Sequence, residues 1–201
     1  MLISLSKLKS HPKNSEIYSL SNIEDLENSI SSLGLLERLV IDEEFQVISG
    51  NRRLVAIQNL GWKKVECEKV TLPEDEVLTY LIHHNKQRIK TCREQLNEIK
   101  VLMDQYEIGQ GKRTDISTSV SPNRSSRTRD VVGEIIGISG GTIARLIFID
   151  KENPELIDLI DSGIMTVNQA YLQTSRIKKE RDSRSEVRKN NVDTGNSNFR
   201  F

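Results

Sequence analysis

The chain has 201 residues, 36% hydrophobic and 29% charged, which is enough apolar content for a packed core in one or two domains. Its 29 Lys+Arg balance 29 Asp+Glu overall, yet residues 1–110 carry 14 basic against 17 acidic side chains and residues 111–201 carry 15 against 12, so the C-terminal half is the one suited to an anionic polymer. Two cysteines (Cys67, Cys92), three histidines without ligand spacing, no signal peptide and no bilayer-length apolar run argue against a disulfide scaffold, a zinc cluster and a membrane partner, and lead to the expectation of a soluble cytoplasmic protein.

Residues 2–5 (LISL) read as a first strand, followed by "HPKNSEIY", a polar, turn-rich stretch around Pro12 and Asn14. Ser21 and Glu24 have capping-box spacing, and Ile23, Leu26, Ile30 and Leu33 predict an amphipathic helix that Gly34 ends. "LLERLVI" (35–41) and "FQVIS" (45–49) read as two strands around an acidic turn. A helix over 51–60 follows, then a strand over 65–70 (VECEKV). Pro73 and the acidic residues 74–76 open a helix with Val77, Leu78, Leu81 and Ile82 on one side, and a further helix covers roughly 92–107. The first unit, residues 1–108, is therefore mixed α/β.

Within it, "VISGNRRLVAI" (47–57) runs from a buried strand through Ser49-Gly50 into a helix headed by Asn51, Arg52 and Arg53. Exposed helix-start N–H groups, the helix dipole and two guanidinium forks converge there, which is what an anionic phosphate needs. Two solvated arginines on a surface helix would explain the same residues.

Residues 109–128 (GQGKRTDISTSVSPNRSSRT) lose all apolar periodicity. Lys112, Arg113, Arg124 and Arg127 stand against Asp115, so the segment is either a solvated tether or a linker that tracks a phosphate backbone. The pattern of residues 129–148 favours the linker. There, "RDVVGEIIGISGGTIARLIF" fills the slots of a helix-turn-helix unit: Gly133 small at the crossing, Gly137 at the turn, and Val132, Ile136, Ile138, Ile143 and Leu146 buried. A generic pair of packed helices is the alternative. Ser139 is placed to cap the second helix, and Ser139, Gly140, Gly141, Thr142 and Arg145 lie on its leading face. The two glycines have no side chain to read a base, so Thr142 and Arg145 would supply direct readout, Arg145 at a guanine. Asn153-Pro154 and Thr166 start two more helices, completing a domain over 129–174. From about Ser175 to residue 201 the chain is polar and charged, and disorder is expected.

Over about residues 1–174 these pieces resemble the ParB family of DNA-segregation proteins, whose N-terminal domain shares its fold with sulfiredoxin. "LKSHPKNSEIY", "SISSLGLLERLVI", "ISGNRRLVAIQNLG" and "HNKQRIKT" look like the successive boxes of that domain, ahead of its helix-turn-helix. The chain is especially similar to short ParB-like proteins of phages and mobile elements. The resemblance implies an α+β fold: a ParB/sulfiredoxin-like domain, an all-α DNA-binding domain and a disordered tail. It also implies that Gly50, Asn51, Arg52 and Arg53, with Asn85 and Arg88, hold the phosphates of CTP with Mg2+. Double-stranded DNA and a homodimer through the N-terminal domain are the implied partners, in DNA partition or gene regulation.

Three departures stand out. His84 occupies the place of a family glutamate that helps hold magnesium, and an imidazole brings no negative charge to a hard cation. Arg38 stands where proline is common. A polar tail with Lys178, Lys179, Arg181, Arg188 and Lys189 replaces the family's C-terminal dimerisation domain, so permanent dimerisation through that end is not expected. Sulfiredoxin chemistry would need a cysteine where this chain has Asn51. The reading is therefore a binding protein, with weak CTP hydrolysis at most. An enzyme on the same scaffold (nuclease, NTPase or small-molecule kinase), drawing on Glu16 or Glu37, is the alternative.

Overall fold

The computed structural model describes residues 1–20, 23–111 and 128–195. They fall into two compact units, Met1–Gly140 and Gly141–Phe201.

The first unit is built on a five-stranded sheet ordered β1-β5-β3-β4-β2. β1 (Leu2–Ser4) runs antiparallel to β5 (Lys64–Lys69), which is parallel to β3 (Leu39–Ile41). β3 is antiparallel to β4 (Gln46–Ser49), and β4 is parallel to the two-residue β2 (Lys9–Ser10). Side chains alternate across a pleated strand. Leu39, Ile41, Val47, Val65 and Cys67 therefore share one face, where they form a core with Ile30 of α2 (Ile23–Leu33) and Leu54 and Ile57 of α3 (Asn51–Asn59). Ile48 points the other way, toward the side on which α4 (Glu74–His84) packs against β4. Each fully buried aliphatic side chain stabilises the fold by about 1.5–3 kcal/mol.

α5 (Cys92–Gly111) packs against α1 (Pro12–Ile17) and α4, with Leu96, Ile99 and Leu102 fully buried. α6 (Thr128–Ile136) packs on α4 and α5. α6 therefore belongs with the N-terminal unit, whereas the sequence places it in a separate domain over 129–174. The second unit holds α7 (Gly140–Glu152) beyond its first residue, α8 (Glu155–Asp161) and α9 (Val167–Gly195), around buried Ile143, Leu146, Ile149, Leu156, Ile157 and Ala170.

Several expectations are corrected. "HPKNSEIY" is not a turn: Lys9–Ser10 pair with β4, and Pro12–Ile17 form α1. Proline at the first helical position lacks only an N–H that would be orphaned anyway, and His11 Nδ1 accepts from the Lys13 N–H at 3.2 Å as the N-cap. Burial of Asn14, Ile17 and Tyr18 fixes the helix in place. Of residues 35–41 only Leu39–Ile41 are strand, and Leu36 is exposed. The tail expected to be disordered from Ser175 is helical to Gly195. Lys178 (2.6 Å) and Arg181 both reach Glu152, and Arg176 pairs with Glu180 one turn on, so ion pairs supply part of what apolar burial does not. Ser21 of the expected capping box, residues 112–127 of the linker and residues 196–201 lie outside the described residues.

Candidate functional site

A cleft of about 380 Å³ opens in the first unit where the start of α3, the end of α1, the loop before β3 and the end of α4 meet. Gly50, Asn51, Arg52, Arg53, Asn85 and Arg88 all line it, although up to 38 residues separate them in sequence. Tyr18, Ser19, Leu26, Glu37 and His84 line it as well.

Gly50 is the N-cap of α3 with φ 94° and ψ 25°, a left-handed conformation that only glycine enters without cost. A Cβ there would stand 2.6 Å from Leu39 Cδ2 and 3.1 Å from Arg53 Nε, so the tight strand-to-helix turn requires the missing side chain. Asn51 is buried and structural: its amide donates to the Val47 carbonyl at 2.9 Å, and its Oδ1 accepts from Ser10 Oγ at 2.7 Å. Asn51 thus ties β2, β4 and α3 together at the start of a helix whose first N–H groups have no intrahelical partner.

Arg53 is held from three sides. Its Nη1 donates to the carbonyls of Glu37 (2.7 Å) and Arg38 (3.0 Å) and lies 3.1 Å from the Glu37 carboxylate. Burial draws the Arg53 pKa below its ordinary value, against the pull of Glu37. Arg52 is the neighbouring guanidinium at the helix head.

The opposite wall comes from the junction of α4 and α5. Asn85 caps α4, its amide donating to the Leu81 carbonyl at 2.9 Å. Arg88 donates to the Ser19 carbonyl (3.2 Å) and Glu94 Oε1 (2.8 Å), and its guanidinium stands 5.4 Å from the centre of the Tyr18 ring. Glu94 also accepts from the N–H and Oγ of Ser19, both at 2.9 Å, while its own N–H donates to Thr91 Oγ1 at 3.1 Å. One turn along α5, fully buried Glu98 pairs with Lys90 at 2.6 Å and accepts from the Tyr18 hydroxyl. Burial first, then the Glu98 charge and hydrogen bond, push the Tyr18 pKa up; burial also raises that of Glu98. Two carboxylates on one face of α5 thus fasten residues 18–19 and 88–90 into one wall. Sequence reasoning missed this pair: the Thr91-x-x-Glu94 capping box marks only a helix start, and nothing local marks Glu98.

Of the carboxylates an enzyme would draw on, Glu16 is ion-paired with Lys13 (2.7 Å) on exposed α1, and Glu37 is engaged by Arg53. The cleft sets anchored guanidinium groups around a helix N-terminus.

The candidate DNA-contacting residues divide between the units. Gly137 ends α6 with φ 83°, and its N–H donates to the Gly133 carbonyl at 2.8 Å, as the turn assignment expects. Ser139 is exposed in the turn before α7. Gly140 lies against Asp130 of α6, whose exposed carboxylate a Cβ there would displace. Gly141 and Arg145 are exposed and Thr142 is half-buried on the first turns of α7, with Arg145 Cζ 5.9 Å from the Tyr171 ring centre. Lys112, Arg113 and Arg127 lie outside the described residues. No single helix among the described residues is long and apolar enough to cross a membrane.

Residues 2–86 match the model of the ParB N-terminal domain. In residues 2–86, then, this chain carries a ParB N-terminal domain. The Caulobacter vibrioides chromosome-partitioning protein ParB is 27% identical over 156 residues, covering 74% of this chain and 45% of that protein. The chain spans only 26–46% of the length of the first curated relatives it matches. A pNOB8-like ParB-N domain superposes with a TM-score of 0.64 at 17% identity, over 90% of this chain and 80% of that one. The C-terminally truncated Caulobacter crescentus ParB, solved with the centromeric parS site, gives 0.56 at 23% identity, over 87% and 84%. These likenesses show the fold: a mixed α/β sheet domain followed by helices.

Proposed function

We propose that this chain is a ParB-like DNA-binding protein whose N-terminal cleft takes a nucleoside triphosphate of the CTP type. It would act in DNA partition, or in gene regulation of a mobile element or chromosome. The observation that carries the reading is the convergence of Gly50, Arg52, Arg53, Asn85 and Arg88 on one cleft at the start of α3. Phosphate oxygens there meet backbone N–H groups and guanidinium forks, a donor set matched to a polyphosphate chain. Leu26 and Tyr18 supply apolar surface beside the charged end, suited to a base or ribose.

The DNA side rests on the helix-turn-helix spacing of residues 129–148 and on Arg145, exposed on α7. A truncated ParB of the same fold was solved on its centromeric DNA site, which supports the same class of partner here. In this reading the basic residues 112, 113 and 127 contact the phosphate backbone, and Thr142 and Arg145 read bases.

Isothermal titration with CTP, ATP and GTP tests the nucleotide half. Binding is expected, with Arg52→Ala losing a charge-assisted contact and roughly tenfold or more in affinity. No heat with any of the three, with or without duplex DNA, would refute it, and rapid phosphate release would favour an enzyme.

A further inference from the structure

We propose, resting on the nucleotide reading above, that this cleft binds its polyphosphate without needing a divalent cation, the charge being met by fixed guanidinium groups alone. Magnesium in nucleotide sites is held by one or two carboxylates together with phosphate oxygens, and it takes oxygen in preference to nitrogen. The residues present do not fit it. Of the described residues, Glu37 is the only carboxylate lining the cleft, and it is turned to Arg53 at 3.1 Å. Among the described residues no group of three or more His, Cys, Asp or Glu could hold a metal ion. Asn85 offers a single uncharged amide oxygen, its NH2 being used on the Leu81 carbonyl. The residue before it, His84, brings a nitrogen donor: its exposed imidazole packs tilted at 42° against Tyr80, ring centres 4.3 Å apart, at the C-terminal end of α4.

The charge count points the same way. Arg52, Arg53 and Arg88 line the cleft, and counting Glu37 at its rim and Glu94 paired behind Arg88, three positive charges stand against two negative ones. A dication therefore meets a positive field, and a polyanion is attracted without one. The arginines are also held in place beforehand. Arg53 is anchored on two backbone carbonyls, and Arg88 on the Ser19 carbonyl and Glu94. Pre-organised donors lose little side-chain freedom when the ligand arrives, which is the part of the binding cost a bridging metal would otherwise help to offset.

The test is titration calorimetry of CTP into the full chain, wild type and His84→Glu, in magnesium buffer and in EDTA. His84 is exposed, so the substitution leaves the core untouched. For the wild type the two dissociation constants should agree within about threefold, whereas magnesium should tighten His84→Glu by about tenfold. Wild-type binding that needs magnesium, or that magnesium tightens by about tenfold or more, overturns the inference and leaves the nucleotide reading standing. No wild-type binding in either buffer brings down the reading and the inference with it. If His84→Glu gains nothing from magnesium, the lack of a free carboxylate is not what makes binding independent of the metal, and the inference is overturned.

Discussion

Replacing Gly50 with alanine isolates the turn on which the cleft depends. Two costs add. An L-residue held in the left-handed region loses roughly 1–2 kcal/mol. The new methyl also stands 2.6 Å from Leu39 Cδ2, and Leu39 is fully buried in the core beneath the sheet, so it has nowhere to withdraw. Overpacking of that kind costs about 1–3 kcal/mol. The sum, about 2–5 kcal/mol, is a large share of a typical domain's 5–15 kcal/mol. Urea unfolding followed by circular dichroism should show a lower midpoint at unchanged slope. Gly50→Asn separates the two terms: asparagine enters the left-handed region more readily but still collides with Leu39. It should therefore recover only the strain term. An alanine variant as stable as the wild type would refute both the turn geometry and the packing argument.

Arg145→Ala should cost about 1–3 kcal/mol on a cognate duplex and relax specificity at one base pair, read by competition binding at fixed salt. The buried Lys90–Glu98 pair should be strongly coupled: Lys90→Met alone leaves an uncompensated carboxylate and should destabilise by about 3–5 kcal/mol, while adding Glu98→Leu should restore part of it in a double-mutant cycle. Burial lowers the His11 pKa from 6.5, so the unfolded chain takes up the proton first. Stability should then be full above pH 6.5 and fall as the pH drops from there through the lowered folded value, where a protonated Nδ1 can no longer accept from Lys13. His11→Asn should keep the cap and flatten that part of the stability–pH curve.

Much of the first unit was legible because its signals are local. The run from Val47 through Gly50 to Ile57 encodes strand, turn and helix in eleven residues, and the structure places Gly50 in the left-handed turn such a run requires. Gly137 was legible for the same reason. Long-range pairing was not. Nothing local in Lys9–Ser10 says that these two polar residues join β4, and Pro12 reads as a turn until His11 is seen to cap the helix behind it. The tail's low apolar content suggested disorder, but α9 continues from a start anchored by buried Ala170 and Thr174, with Glu152 across from Lys178 and Arg181. Glu94 and Glu98 look like ordinary solvated charges in sequence. Only the fold brings them beneath Tyr18, Ser19, Arg88 and Lys90.

Hydrogen–deuterium exchange with and without CTP tests the central claim most directly, because it reports where a nucleotide acts without assuming turnover. Protection should concentrate on residues 49–53 and 84–88, the two walls of the cleft. Unchanged exchange in both segments, with protection confined to residues 128–152, would contradict the account by placing the anion on α6 and α7 instead.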